Sequence, residues 1–277
     1  MKRLIKDGNA VNGIVKFDYN KGTKNTIFLL IGTWGLINSP GLENLLITAF
    51  LGFFTMYIGV VAYHRLIIHR SFKCPLYLEY ILTFIANLSG MGGPISLIKV
   101  HDLRDWAQRK EKCHPFFNHT SAFIIDGFQQ LFCKIELKQP PEFKVEIAGN
   151  PFYEHLERFG ILYQLPLAIL LYFLGGVSLI YTGIFLRIFL APAGHWLVAF
   201  CLHNYGQQPT INRNAGTQGY NIPLLALFTF GEAYHNNHHR FPDLACNQFH
   251  KGEIDPAWWL ILLLKKLKLA TQIKTID

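Results

Sequence analysis

Two long apolar blocks constrain this chain more than any other feature of its sequence. The first covers residues 26–63 and the second residues 159–200. A helix needs roughly 20 predominantly apolar residues to cross a bilayer, and each block holds at least one stretch of about that length. The sequence therefore predicts an integral membrane protein rather than a soluble globular domain.

Turn signals divide each block into two helices. Ser39-Pro40-Gly41 interrupts the first block, and Gly175-Gly176 interrupts the second. We interpret both blocks as helical hairpins, which makes four membrane spans in total. The spans cover approximately residues 26–38, 45–63, 159–174 and 177–200.

Positive charge is concentrated outside the two hairpin turns. Six Lys or Arg residues precede the first span, twelve lie between the hairpins and seven follow the second hairpin, whereas the turns carry none. By the positive-inside rule, both termini and the central segment are cytoplasmic. The predicted fold is an all-α, multi-pass membrane domain over residues 1–277, with a cytoplasmic helical cap formed by residues 64–158 and 201–277.

The net charge of +8 is compatible with nucleic acid, an anionic membrane surface or an acidic substrate as a partner. The apolar blocks favour the membrane and the substrate, so no nucleic-acid partner is expected.

The five cysteines are scattered and form no CxxC pair, which argues against a disulfide framework and a cysteine-based zinc site.

Four local features refine this picture. Leu76–Leu88 is too short to span, and Trp258–Leu269 has tryptophans at one end and lysines at the other, so both are predicted to be helices at the membrane face. Arg187 lies inside the second hairpin and should face protein or the membrane surface rather than lipid. Pro192 is expected to kink or end its helix.

Three histidines of the segment GEAYHNNHHRFP have the spacing of a metal-binding helix. His235, His238 and His239 follow the i, i+3, i+4 pattern and would share one helical face. Their imidazoles can converge on one metal ion or on a pair of ions. The alternative is a set of surface histidines on an amphipathic helix.

Four further histidines lie at span ends or in the cap. His64 and His69, in HRLIIHRSF, are five residues apart, so they converge only if the helix ends or bends there, or if they serve different ions. His101 in HDLRDW and His203 in CLHNYG are each ambiguous alone. Seven histidines exceed the four ligands of a tetrahedral zinc site and suit two ions. Imidazole alone does not choose between Zn, Cu, Fe and Ni.

The order of these motifs resembles the three histidine boxes of membrane fatty acyl desaturases, of the acyl-CoA delta-9 (stearoyl-CoA) type. HRLIIHRSF corresponds to the first box, HDLRDW to the second and GEAYHNNHHRFP to the third. The resemblance covers nearly the whole chain. Other segments in family order are Gly59–Phe72, Met91–Pro94, His203 with Gly206, and Phe241–Trp259.

This resemblance implies an iron- and O2-dependent oxidoreductase that introduces a double bond into a long-chain acyl group. The acyl group would be carried by CoA, acyl carrier protein or a lipid. A separate cytochrome b5-type or ferredoxin-type protein would donate electrons, because no HPGG haem-binding segment is present. The resemblance implies a di-iron centre with the ligands His64, His69, His101, His203, His235, His238 and His239.

The second box departs from the family pattern HxxHH. Arg104 and Asp105 replace its two adjacent histidines, and Asp105 is a candidate replacement ligand. Ala199 stands where the family has an Asn that holds an iron-bound water. Downstream, Arg109 and Cys113-His114-Pro115 replace the usual acidic residues and DPH.

These departures leave other functions open. The same scaffold would serve hydroxylation or another acyl C–H functionalisation, since a vacant metal position is what an altered oxidation requires. A non-catalytic desaturase relative with a decayed metal site is a second alternative. A histidine-rich membrane zinc hydrolase is a third, although no Ser or Cys nucleophile arrangement is visible.

Overall fold

The computed structural model describes residues 3–38, 41–212 and 214–276, and this part of the chain is mostly helical. Ser39 and Pro40 of the predicted first turn lie outside the described residues. The helices are α1 (Tyr19–Asn38), α2 (Leu42–Gly59), α3 (Leu76–Asn87), α4 (Pro94–Gln108), α5 (Pro115–Asn118), α6 (Phe123–Phe132), α7 (Pro151–Phe159), α8 (Gln164–Ile180), α9 (Arg187–Asn204), α10 (His235–Arg240) and α11 (Pro256–Lys266).

The first hairpin is longer than its apolar residues indicate. α1 begins at Tyr19 rather than near Thr26, because the Asp18 side chain accepts a hydrogen bond from the backbone N–H of Lys21 (3.1 Å) and satisfies a free donor of the first turn. α2 does not end near Tyr63. It continues as a π-helix over Val60–Ile68, so the span runs directly into the first histidine segment.

The second hairpin is divided where the glycine pair predicts. Gly175 (φ −153°, ψ 18°) and Gly176 (φ 67°, ψ −162°) leave the helical conformation inside α8. A π-helix over Tyr181–Leu186 then leads into α9, which continues through Pro192 instead of ending there.

Arg187 faces protein, as its position in an apolar helix predicts. The residue is only 2% exposed. Its guanidinium donates to the carbonyls of Gly183 (2.6 Å) and Leu88 (2.5 Å) and to Oε1 of Gln164 (2.6 Å). These bonds compensate for burying the charge away from water.

The two hairpins pack against each other along Tyr181–Leu186. Gly35 of α1 lies so close to Tyr181 that a Cβ atom would collide with that side chain. On the α2 side, the Thr48 and Thr182 hydroxyls lie 3.0 Å apart and form a buried hydrogen bond. Small residues and hydroxyls of this kind are typical of helix contacts in membranes.

Two helical stretches of the described chain are long and apolar enough to cross a membrane by length and composition. They are Leu42–Ile68 and Pro151–Asn204, and the second is 54 residues long. The glycine break falls within this longer stretch. α1 does not belong to either stretch, so four crossings remain a proposal.

The cap packs around the π-helix Val60–Ile68. Leu66 and Ile67 are fully buried there, against Ile98 of α4, Tyr153 of α7 and Ile261 of α11. α3 and α11 form close to the two shorter apolar stretches identified in the sequence. Asp255 fixes the start of α11, because its carboxylate accepts a hydrogen bond from the Trp258 backbone N–H (3.1 Å).

Four short strands within the described residues depart from the predicted all-α class. β1 (Leu4–Lys6) pairs antiparallel with β4 (Glu142–Phe143), and β2 (Gly13–Phe17) pairs antiparallel with β3 (Cys133–Leu137). Each pairing joins the amino-terminal segment to residues more than a hundred positions away. Strands this short carry little hydrophobic periodicity of their own, which is why the prediction missed them.

Candidate metal centre

A π-helix brings His64 and His69 together. The backbone N–H of His69 donates to the carbonyl of His64 (3.0 Å), the i+5 pattern of a π-helix. In this wider turn, residues five apart lie over each other, so the two Nε2 atoms are only 3.1 Å apart. The sequence predicts that a shared site requires the helix to end or bend at this point. The structure shows a π-helix that ends at Ile68, immediately before His69.

His64 and His69 belong to a group of four histidines with His101 and His238. One nitrogen from each ring lies within 4.8 Å of the others. The π-helix, α4 and α10 supply these residues, so three distant parts of the chain meet at this point. We call His64, His69, His101 and His238 the first histidine group.

His203, His235 and His239 form a second histidine group. Nε2 of His235 lies 3.2 Å from Nε2 of His203 and 2.9 Å from Nε2 of His239. α10 therefore serves both groups, with His235 and His239 in one and His238 in the other. The rings of His235 and His238 stack with centroids 5.9 Å apart, which places the two groups side by side.

Two outward-facing ring nitrogens lie against protein oxygens. Nδ1 of His64 lies 2.7 Å from a carboxylate oxygen of Glu232, and Nδ1 of His203 lies 3.0 Å from the carbonyl oxygen of Gln218. A histidine that binds a metal through one nitrogen commonly donates the other N–H to a carboxylate or carbonyl. This arrangement leaves Nε2 of His64 facing His69 and Nε2 of His203 facing His235.

Burial favours the neutral form of four of these rings, those of His69, His235, His238 and His239. Burial, followed by the neighbouring imidazoles, holds the pKa values of His69, His235 and His238 well below the usual value for histidine. Burial also lowers the pKa of His239 to about 4, although the nearby Asp105 raises it. Neutral imidazole is the form that binds a metal ion.

Glu232 connects the first group to a buried ion-pair network. Besides His64, it contacts Arg65 (3.0 Å), and Arg65 also makes a bidentate pair with Asp255 (both distances 2.9 Å). Burial alone would raise the pKa of Glu232, yet His64 and Arg65 together bring it down to about 2. Glu232 is therefore an ionised acceptor at neutral pH.

Neither altered second-box residue belongs to a histidine group. Asp105 accepts a hydrogen bond from Nε of Arg109 (2.9 Å) and is not part of either group. Burial alone would raise the pKa of Asp105, but the charge of Arg109 and its hydrogen bond keep it below the usual value. Arg104 donates instead to Nε2 of His119 (2.7 Å) and to Oε1 of Gln130 (2.6 Å).

Neither of the two downstream histidines joins a group. His114 caps α5, since its Nδ1 accepts a hydrogen bond from the backbone N–H of Phe116 (3.1 Å). His119 is bound by Arg104 and Asp126. A cavity of about 320 Å³ opens beside the first group, and His69, His101, Asp105 and Arg109 line part of it.

The residues that orient the histidines were not found from the sequence. Glu232 lies three residues before His235, within the segment GEAYHNNHHRFP. An acidic residue so close to the histidines was the one sequence feature that could have identified it. Gln108 and Asp126 gave no such signal, because they reach the site only through the packing of α4 and α6.

The chain is similar to acyl desaturases of known activity. It is 32% identical to an sn-2 palmitoyl-lipid 9-desaturase from Nostoc sp. (strain 36), over 78% of this chain and 76% of the relative. It is also 32% identical to an sn-1 stearoyl-lipid 9-desaturase from Anabaena variabilis, over 78% of each chain. An acyl-CoA C20 Delta5-desaturase from Anemone leveillei is 31% identical, over 77% of this chain and 68% of the relative. No protein-family model matches the chain.

Proposed function

This chain belongs to the fatty acyl desaturase family, and on that premise we propose that it introduces a double bond into a long-chain acyl group in an iron- and O2-dependent reaction. Members of the family are oxidoreductases. The single observation that carries the proposal is the convergence of seven histidines from four distant segments into two adjacent groups.

The histidine groups fit a pair of iron ions. The Nε2 atoms of His64 and His69 face each other, as do those of His203, His235 and His239. Glu232 and the Gln218 carbonyl hold the outward nitrogens of His64 and His203. Imidazole is a normal ligand of non-haem iron. His64, His69, His101 and His238 would hold one ion, and His203, His235 and His239 the other. The bound iron pair would supply the oxidising power to remove hydrogen from an unactivated carbon.

The protein's own contribution is to bind and align the acyl chain. Its long apolar helices provide surface for a hydrocarbon tail, and the histidine groups lie where the π-helix after α2, the end of α9 and the cap meet. A substrate bound between the spans would present its chain to this junction. The basic cap would attract a phosphate-bearing carrier.

The names of the relatives bear on the carrier of the acyl group and on the position of the double bond. By their names, the relatives act on acyl lipids or on acyl-CoA, and at position 9 or 5. Lipid-bound acyl groups and acyl-CoA are therefore both candidate substrates. Acyl carrier protein and the acyl-CoA delta-9 type stay expectations from the resemblance in sequence. The electron donor would be a separate protein of the cytochrome b5 or ferredoxin type.

We further propose a multi-pass arrangement with four crossings and cytoplasmic termini. The two apolar stretches, the Gly175-Gly176 break and the placement of Lys and Arg support it. α1 would be one of these crossings, packed along Tyr181–Leu186.

A second candidate reaction is hydroxylation or another acyl C–H functionalisation. The observation that favours it is the second histidine group, which has three imidazoles and no contribution from Arg104 or Asp105. Desaturation and hydroxylation both begin with removal of a hydrogen from the acyl chain, so one scaffold suits either outcome.

Analysis of cellular lipids tests the proposal most directly. Expression of the chain in a host with a suitable electron donor should produce unsaturated acyl groups that gas chromatography with mass spectrometry detects. His238→Ala should abolish the product, because it removes a ligand of the first group. His250→Ala is the matched control, since His250 is exposed and outside both groups, and it should leave the product level unchanged.

The outcome also separates the two reactions. Hydroxylated acyl groups in place of unsaturated ones would select the second candidate. Unsaturation that appears only after the double change Arg104→His with Asp105→His would show that the native reaction is not desaturation. Product formation by His238→Ala at the native level would contradict the metal centre itself.

A further inference from the structure

Arg104 stands where the second box would place an imidazole, yet its guanidinium is bound by His119, at the end of α5, and by Gln130 of α6. Nη1 donates to Nε2 of His119 (2.7 Å) and Nη2 donates to Oε1 of Gln130 (2.6 Å). A permanent positive charge next to a metal pair is unfavourable, so these contacts matter for the centre. Burial lowers the pKa of Arg104 only to about 10, and the guanidinium is charged at neutral pH.

His119 bridges this cation to a buried carboxylate. Its Nδ1 lies 2.9 Å from Oδ2 of Asp126, and its Nε2 accepts from Arg104, which fixes the ring as the neutral Nδ1–H tautomer. The His119 and Asp126 side chains are 1% and 0% exposed. Trp196 of α9 donates a second hydrogen bond to Asp126 (2.7 Å). The positive charge of Arg104 is thus balanced by Asp126 through one imidazole.

The same bridge touches the second histidine group. The ring of His119 stacks on that of His203, with centroids 5.4 Å apart and planes 13° apart. The next residue, Asn204, donates from Nδ2 to the His119 carbonyl (3.0 Å). His119 has a positive φ of 56°, which a non-glycine residue rarely adopts without such contacts to hold it.

Gln108 ties α4 to the same point. Its Nε2 donates to the carbonyl of Phe117 (2.7 Å) and lies 3.1 Å from Nε2 of His203. Arg104 and Gln108 are one turn apart on α4. Through these two side chains, α4 contacts both the end of α5 and His203.

We propose that Arg104, His119 and Asp126 form a positioning unit that holds the guanidinium away from the second histidine group and fixes the ring of His203 within it. This inference rests on the proposed metal centre. The altered second box then has a structural role. Arg104 helps to position the site and is not merely the residue left where a ligand was lost. The second group then binds its ion with three imidazoles.

Titration of metal-free protein in detergent with Co²⁺ tests this without any activity measurement. The visible absorption of bound Co²⁺ reports the ligands of each ion. In a His69→Ala background, which weakens the first group, the remaining absorption belongs to the second. There, Asp126→Asn should weaken Co²⁺ binding about 10-fold, the lower end of the effect of losing a direct partner of a ligand, because Asp126 acts on His203 only through His119.

Two substitutions at position 119 separate positioning from general damage. His119→Gln keeps one donor and one acceptor and should retain most of the affinity, whereas His119→Leu should behave like Asp126→Asn. Glu157→Gln is the control. Its carboxylate accepts hydrogen bonds from the first N–H groups of α4 (2.9 Å to Ile95) without touching His203, and this variant should keep the native second-group spectrum.

The outcomes distinguish the inference from the function on which it rests. Wild-type protein that binds two ions while Asp126→Asn binds both with native affinity overturns the positioning unit and leaves the metal centre intact. Equal losses at both groups in Asp126→Asn also overturn it, since they indicate unfolding. Wild-type protein that binds no metal overturns the metal centre and the inference together.

Discussion

At the scale of single residues, the candidate centre depends as much on the partners of the histidines as on the histidines themselves. Glu232 and the Gln218 carbonyl occupy the outward nitrogens of His64 and His203. These partners fix the ring orientation before any ion binds, which raises affinity because little reorganisation is then required.

Replacing Glu232 by Gln should therefore weaken the first group selectively. The amide lacks the charge that attracts His64 and Arg65, and we expect metal affinity to fall about 10–100-fold. The measurement is the iron retained per chain after dialysis against a chelator. Glu111→Gln changes an exposed acid on the cap and should retain the native iron content. Equal retention by both variants would exclude an orienting role for Glu232.

The sequence predicted the histidines but not their partners, and the reason is physical. Helical spacing and motif order identify imidazoles, because ligands on one face must recur at fixed intervals. Gln108 and Asp126 come from helices whose positions depend on tertiary packing, which no local pattern encodes. The same holds for His119, whose role depends on its contacts with Arg104 and His203.

At the scale of secondary-structure elements, interruptions of helices determine the geometry. The π-helix Val60–Ile68 supplies the i+5 contact that an α-helix lacks, and it joins His64 to His69. The break at Gly175-Gly176 was predictable, because adjacent glycines weaken a helix. The π-helix was not, since its sequence VVAYHRLII reads as a continuous apolar helix.

Gly176→Ala should destabilise the second hairpin through the backbone alone. No neighbouring atom lies within 4 Å of the added Cβ position, but φ is 67° and ψ −162°, a conformation that is essentially restricted to glycine. We expect a loss of about 1–3 kcal/mol of folding free energy. The measurement is the thermal unfolding midpoint in detergent.

Gly194→Ala provides the matched comparison for this substitution. It lies within α9, where an added Cβ also meets nothing within 4 Å, and it has no positive φ. The change should stabilise the helix by roughly 0.5–1 kcal/mol. A midpoint that falls equally in both variants would argue against backbone strain at Gly176.

At the scale of the whole molecule, buried arginine side chains connect the hairpins to the cap through hydrogen bonds and ion pairs. Arg65, at the end of the first apolar stretch, binds Asp255 of the carboxy-terminal segment, 190 positions away. Arg187 in the second stretch binds the Leu88 carbonyl of the cap. The apolar blocks made the membrane class predictable, whereas these long-range pairs and the four short strands were not.

The proposed topology predicts which sites an impermeant thiol reagent reaches from outside the cell. In a cysteine-free background, Gly41→Cys and Leu174→Cys should react in intact cells, because both lie near the hairpin turns and are exposed. Glu111→Cys and Lys251→Cys, on the cap, should react only after the membrane is permeabilised. Reaction of all four in intact cells would contradict cytoplasmic termini.

The pairing of the amino-terminal segment has a practical consequence for anyone who produces this protein. Arg3 donates to the carbonyl of Ile68 (2.6 Å) and to Asp102 (2.8 Å), the neighbours in sequence of His69 and His101. Trimming the start of the chain, or fusing a rigid reporter there, would disturb the residues next to the first histidine group. The carboxy-terminal segment reaches the same place, because the side chain of Lys274 donates to the carbonyl of His69 (3.4 Å). A purification tag at either end therefore needs a flexible spacer.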